Sequence, residues 1–146
     1  MRDSFHDDLD GIGVSLIEMG QLVSKAMQRA TTALLTADLK IAEEIISEDE
    51  AIDAMQYDIE SRAINLMARQ QPVAGDLRTL VTSLRMSADL ERMGDLAHHV
   101  AKLTRMRYPA AAVPPELVLT LQEMGNVTAR ITKKAIGVIE SRNLEA

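Results

Sequence analysis

Two pairs of carboxylates carry the chemistry open to this chain. Asp49 and Asp53 form one pair, Glu91 and Asp95 the other. Each pair is spaced i,i+4, so both side chains leave one face of a helix, a turn apart. Between the pairs lies Gln70-Gln71-Pro72, the best helix break in the middle of the chain. A fold-back at residue 71 or 72 sets 49 level with 95 and 53 level with 91. Four carboxylates then converge on one patch, where they repel unless a cation or basic neighbours compensate them. Oxygen-only ligands at helical spacing suit hard or borderline divalent ions such as Mg²⁺, Mn²⁺ or Fe²⁺.

The competing reading needs no ion. Acids on a solvated helix face can pair with Arg62, Arg85, Arg92 or Lys102, each pair worth under about 1 kcal/mol. The chain would then be a structural helical adaptor. His98 and His99 follow Asp95 closely. Asp95-Leu96-Ala97-His98 has the i,i+3 spacing found on two helices of di-iron bundles. Here it occurs once, so a carboxylate-bridged di-iron oxidase is the weaker alternative. His99, taken as nearest the acidic face, is the better candidate nitrogen ligand. The candidate metal set is therefore Asp49, Asp53, Glu91, Asp95 and His99. Arg78, Arg85 and Arg92 recur every seven residues, as a solvated face or a docking stripe for an acidic partner. No Gly-rich phosphate loop or nucleophile elbow appears. No catalytic residue and no organic cofactor are expected.

Long helices must position these groups. Only 2% of the 146 residues are aromatic, and Ala, Leu, Ile and Met fill the apolar positions, which favours helices over a β-sandwich. Leu9, Ile12, Leu16, Met19, Val23, Ala26, Ala30 and Leu34 recur at three- and four-residue spacing and predict a first helix over about 3–37. Asp38 is a good N-cap for a second helix over 39–70, with Ile41, Ile45, Ile52, Ile59, Ala63 and Leu66 on its stripe. Pro72 suits the first turn of a third helix reaching about Arg107. Its first half is expected to bury Leu77, Leu80, Val81, Leu84 and Ala88, and that face continues onto Glu91 and Asp95. A Pro/Ala-rich linker, 109–115, precedes a fourth helix running from 116 towards 146.

The fourth helix resembles the first. Leu16-Ile17-Glu18-Met19-Gly20 aligns with Leu121-Gln122-Glu123-Met124-Gly125 at an offset that also aligns Ala30 with Ala135. It reads as the opening of a second copy of a three-helix unit. The expected architecture is all-α: a three-helix bundle over 1–108, then the first helix of a second, incomplete repeat.

Absence of Cys excludes disulfides and thiolate ligands, and fits a cytoplasmic location. A formal charge of −6 argues against nonspecific nucleic-acid binding. No apolar run reaches the roughly 18–20 residues of a membrane span, and the N-terminus lacks the apolar stretch of a signal peptide.

Gln70-Gln71-Pro72-Val73-Ala74-Gly75-Asp76-Leu77-Arg78 and Asp89-Leu90-Glu91-Arg92-Met93-Gly94-Asp95 closely resemble the PhoU family of bacterial regulators of phosphate uptake and phosphate-starvation signalling. Asp49-Glu50-Ala51-Ile52-Asp53 matches the acidic motif of the family's second helix, and Glu91 to Asp95 that of the third. The resemblance covers helices one to three. It implies two tandem three-helix bundles, with a divalent ion (Mg, Mn, Fe or Zn) or a metal cluster held at the acidic motifs. It further implies a non-enzymatic negative regulator linking the Pst phosphate transporter, through its ATPase, to the PhoR sensor kinase. Such a chain is expected to dimerise and to reach the membrane only peripherally, through partners. Where the family often reads Gly-Asp-His-Ala-x-Asn, this chain reads Gly94-Asp95-Leu96-Ala97-His98-His99, which bears on the identity of the ion.

Overall fold

A computed structural model describes residues 2–141, with side chains from residue 4. Its elements are α1 (Arg2–Thr36), α2 (Leu39–Gln70), α3 (Ala74–Arg107), a 3-10 turn (Pro115–Leu117) and α4 (Val118–Ser141). No strand occurs among the described residues. The expectation of an all-α chain holds, and the end of the fourth helix, 142–146, falls outside the described residues.

Local chemistry sets the breaks. The Asp38 side chain accepts from the Ile41 N–H at 3.0 Å, closing the start of α2. Gln71 ends α2 in the left-handed region, φ 44°, and its N–H donates to the Met67 carbonyl. Pro72 was expected in the first turn of the third helix. It lies instead in the connection, and α3 starts at Ala74 behind Val73, which makes no side-chain cap.

Helices α1, α2 and α3 form a three-helix bundle. One half of its core is large: Leu9, Ile12, Leu16, Met19 and Val23 of α1 pack with Ile52 and Ile59 of α2 and Leu80 and Leu90 of α3. The other half is built on Ala26, Ala30, Ala33, Ala42, Ala97 and Ala101 around Ile45, so the helices approach more closely there.

The buried face of α3 differs from expectation. It reads Leu80, Ser83, Ser87, Leu90, Gly94, Ala97, Ala101 and Thr104. Leu77 is 40% exposed and Ala88 is exposed, while Val81 and Leu84 are half-buried. Glu91 and Asp95 therefore do not continue the core face; they border it. Small residues won these positions because close packing on two neighbours leaves no room for leucine. The serines and the threonine there bond back to carbonyls within their own helix, so burial leaves their hydroxyls satisfied.

Among the helices, α4 packs on α1 alone. A Cβ built on Gly125 would meet Thr31 Cγ2 at 2.5 Å, and one on Gly20 would meet Ile136 Cγ1 at 2.9 Å. The offset that aligns Gly20 with Gly125 also aligns Thr31 with Ile136. Each glycine therefore faces the repeat-equivalent of the other glycine's partner. The α1–α4 contact has a local pseudo-two-fold, like an isologous interface built within one chain. On the far side of α4, Met124 is 59% and Ile131 63% exposed, whereas their α1 equivalents, Met19 and Ala26, are buried against α2 and α3. No described helix is long and apolar enough to cross a membrane.

Candidate metal centre

The acidic patch forms where α2 and α3 run side by side. Gly94 makes this possible: a Cβ there would lie 3.1 Å from Ile52 Cγ2, so α3 sits close to α2 at that level. The two residues flanking this contact, Asp53 and Asp95, are thereby drawn together. Asp49, Asp53 and Asp95 each present a carboxylate oxygen, and all three oxygens lie within 4.8 Å of one another. One cation can reach all three.

Glu91 lies a turn before Asp95 and is half-buried. Partial burial, then the charges of Asp95 and Asp53 and a hydrogen bond with Asp95, push its carboxyl above the usual glutamate value. Asp53 is raised likewise, by desolvation first and then by Asp49 and Asp95, with His98 opposing. Both shifts record a patch whose negative charges are under-compensated. Its only Arg or Lys ion pair among the described residues is Arg92 to Asp95, at 3.8 Å and largely exposed. Arg62 is turned away to Asp58 and to the Ser15 hydroxyl, and Arg85 and Lys102 make no ion pair with the cluster. The ion-free reading thus lacks most of the basic partners it requires.

The nitrogen donor at the cluster is His98. Its Nδ1 donates to Asp49 Oδ2, and its Nε2 is buried without a hydrogen-bond partner. An ionised Asp49 can only accept, which assigns a proton to Nδ1; in the neutral ring Nε2 then carries the lone pair. His99, the ligand expected from the sequence, is exposed, its ring tilted against that of His98. The cause is the face that α3 turns to its neighbours. Leu90, Gly94, Ala97 and Ala101 are buried, which sets His98 at the border of that face and His99 well outside it. The observed neighbours across the hairpin are Asp49 with His98 and Ile52 with Gly94, two to three residues from a pairing of 49 with 95. The i,i+3 spacing from Asp95 to His98 was the available signal.

Asp49 also borders a small, mostly apolar cavity of about 90 Å³ between α1, α2 and α3, lined by Leu22, Ala26, Ile45 and Ile52. It is too small for an organic substrate, whose sites run from roughly 300 Å³. The groups present (three adjacent carboxylates, a fourth one turn away and a carboxylate-bonded imidazole) fit a divalent cation.

A family model described as the PhoU domain matches residues 16–104, which hold all these groups. The chain is 44% identical over 145 residues to the phosphate-specific transport system accessory protein PhoU homolog 2 of Mycobacterium tuberculosis, covering 99% of this chain and 68% of that protein. It is 32% identical to the PhoU homolog of Rhizobium meliloti, covering 99% of this chain and 61% of that one. The crystal structure of PhoU from Pseudomonas aeruginosa superposes with a TM-score of 0.85 at 27% identity, over 94% of this chain and 65% of that one. The phosphate transport system regulatory protein PhoU from Streptococcus pneumoniae superposes with a TM-score of 0.81 at 30% identity, over 92% and 62%. The chain thus spans less than two thirds of either solved structure. Sequence match, helical architecture and acidic motifs agree, and the chain belongs to the PhoU family.

Proposed function

We propose that this chain is a metal-binding regulatory adaptor of phosphate uptake and phosphate-starvation signalling, without catalysis of its own. The observation that carries the reading is the convergence of Asp49, Asp53 and Asp95, from both acidic motifs, on one cation-sized space. Asp49, Asp53, Glu91 and Asp95 hold a divalent ion, with His98 orienting Asp49 through Nδ1 and offering Nε2 as a further donor. The bound ion supplies positive charge where the chain itself supplies little. Neutralising the patch lets α2 and α3 stay in close register at Gly94, which keeps the outer surface of the hairpin in one shape for a partner.

The regulatory role rests on the relatives, which are accessory or regulatory proteins of phosphate transport. By that likeness the partners are the Pst transporter ATPase and the PhoR sensor kinase, and the chain acts in the cytoplasm, as a dimer. In this reading α4 opens a second three-helix unit, as the repeat and the pseudo-two-fold suggest.

Two measurements test it. Calorimetric titration with Mn²⁺ and Mg²⁺ is expected to show binding by the native chain and loss of more than about tenfold in affinity for Asp53→Asn/Asp95→Asn. Equal affinities remove these residues from the site. A starvation-promoter reporter, in a bacterium lacking its own PhoU, is expected to be repressed in phosphate-rich medium by the native chain. Full derepression in its presence rejects the regulatory role.

A further inference from the structure

The outer face of α3 has a charge and apolarity pattern that the fold does not use and that the metal centre touches only through Arg92. Arg78, Arg85, Arg92, Leu96 and Leu103 fall on one strip of the helix, within roughly 40° of each other on a wheel of 3.6 residues per turn. The strip faces away from the buried positions of α3, and all five side chains are exposed. It runs for about 38 Å, at 1.5 Å per residue. Its first half is basic. Its second half presents apolar side chains, Leu96 45% and Leu103 44% exposed with Met106, at its margin, 78% exposed, and ends at the exposed Arg107.

Intramolecular contacts do not account for this strip. Arg92 reaches Asp95 loosely, and Asp89 sits at the edge, but Arg78 and Arg85 have no ion pair among the described residues. Two unpaired cations in a chain of formal charge −6 are available to an acidic partner. The leucines beside them add apolar area that is wetted at a free-energy cost. The backbone of α3 packs on α1 and α2; α4 comes near the strip at Arg78, which lines a pocket of about 450 Å³ with Val138 and Ile139, and the described residues leave the rest of the strip open.

We propose that this strip docks an amphipathic helix of a partner protein, acidic in its first half and apolar in its second, lying parallel to α3. Carboxylates at seven-residue spacing meet Arg78, Arg85 and Arg92, and leucine-like side chains then cover Leu96 and Leu103. Acid-first order also suits the partner helix, because carboxylates near an N-terminus complement its dipole. An anionic membrane is the poorer match. A helix lying in a membrane surface carries basic and apolar faces side by side along its length. Here the two follow end to end on one strip, so a bilayer engages only one half at a time. This docking goes beyond the adaptor reading and needs no metal ion.

The test uses the full chain and a synthetic 28-residue helical peptide with Glu at three successive heptad positions followed by Leu at the next two. A second peptide has the same composition with Glu and Leu interleaved. Fluorescence anisotropy is expected to show binding of the first peptide more than about tenfold tighter than the second. Arg78→Glu/Arg85→Glu is expected to weaken it by a similar factor, and a peptide with Lys in place of Glu to restore binding to that variant. This exchange of charge excludes misfolding as the cause. Leu96→Lys/Leu103→Lys is expected to weaken both pairings. The proposal is overturned if no peptide binds, if the interleaved peptide binds equally, or if charge reversal changes nothing. It is also overturned if phosphatidylglycerol vesicles take up the chain through these arginines, or if the reversal instead turns a dimer into a monomer in sedimentation.

Discussion

His98 on α3 donates from Nδ1 to the Asp49 carboxylate on α2, joining two helices across 49 residues of sequence. Both side chains are mostly buried, 17% and 14% exposed, so the bond is shielded from water. With the looser Arg92–Asp95 pair, it offsets part of the repulsion in the patch. His98→Ala is expected to lower stability by about 1–2 kcal/mol in urea unfolding without added metal. A double-mutant cycle with Asp49→Asn should return a coupling of about 1 kcal/mol. Additive effects would mean that the two side chains do not interact in solution.

The raised carboxyl of Asp53 makes stability depend on pH in a direction that can be worked out. Unfolded, the group titrates near 3.8; folded, it titrates higher. The folded chain therefore holds more protons than the unfolded chain between those two values, and stability falls as pH rises through them. Asp53→Asn removes that loss. In chelator, its melting temperature is expected to equal that of the native chain below the unfolded value. Above the folded value it should exceed the native one, by an amount that solvent screening keeps small because Asp53 is exposed. With Mn²⁺ the order should reverse, because only the native chain gains from the ion. A stability gain confined to acid pH would contradict the assignment.

Helix α4 is held against α1 by absent side chains. Gly125→Ala places a methyl against Thr31, whose own side chain is committed to the Met27 carbonyl at 3.0 Å. The clash should cost about 1–3 kcal/mol, exceeding the gain of about 1 kcal/mol in helix propensity. Gly13→Ala, in α1 with no atom within 4 Å of the new Cβ, is expected to stabilise by about 0.5–1 kcal/mol. Hydrogen exchange would localise the first effect to α4 and spread the second across the bundle. Equal effects at both positions would deny the close approach.

Three helix ends carry left-handed residues that are not glycine: Ala37 at φ 52° and Gln71 at φ 44° close helices, and Ala74 at φ 49° opens α3. Glycine relieves the crowding of Cβ in this region. Ala37→Gly and Gln71→Gly are each expected to stabilise by about 0.5–1 kcal/mol, net of the larger unfolded-state freedom of glycine. The sites lie at opposite ends of the bundle, so the pair should be additive in thermal melts.

The four helices, the cap at Asp38 and the acidic pairs followed from local rules: periodicity, capping and i,i+4 geometry act within a few residues and need no knowledge of the fold. The repeat linking Gly20 to Gly125 was equally visible, since it is an identity of letters. Which histidine meets the acids was decided by tertiary structure. The two histidines leave α3 about 100° apart, and which of them faces α2 depends on the side of α3 that packing buries, which no local propensity specifies. The core face of α3 was hidden for a related reason. Its buried row of Ser, Gly, Ala and Thr is weakly apolar, and only the proximity of two other helices selects small residues over the leucines beside them. What a helix is can be read along the chain, but what it touches depends on distances across the bundle, set by packing.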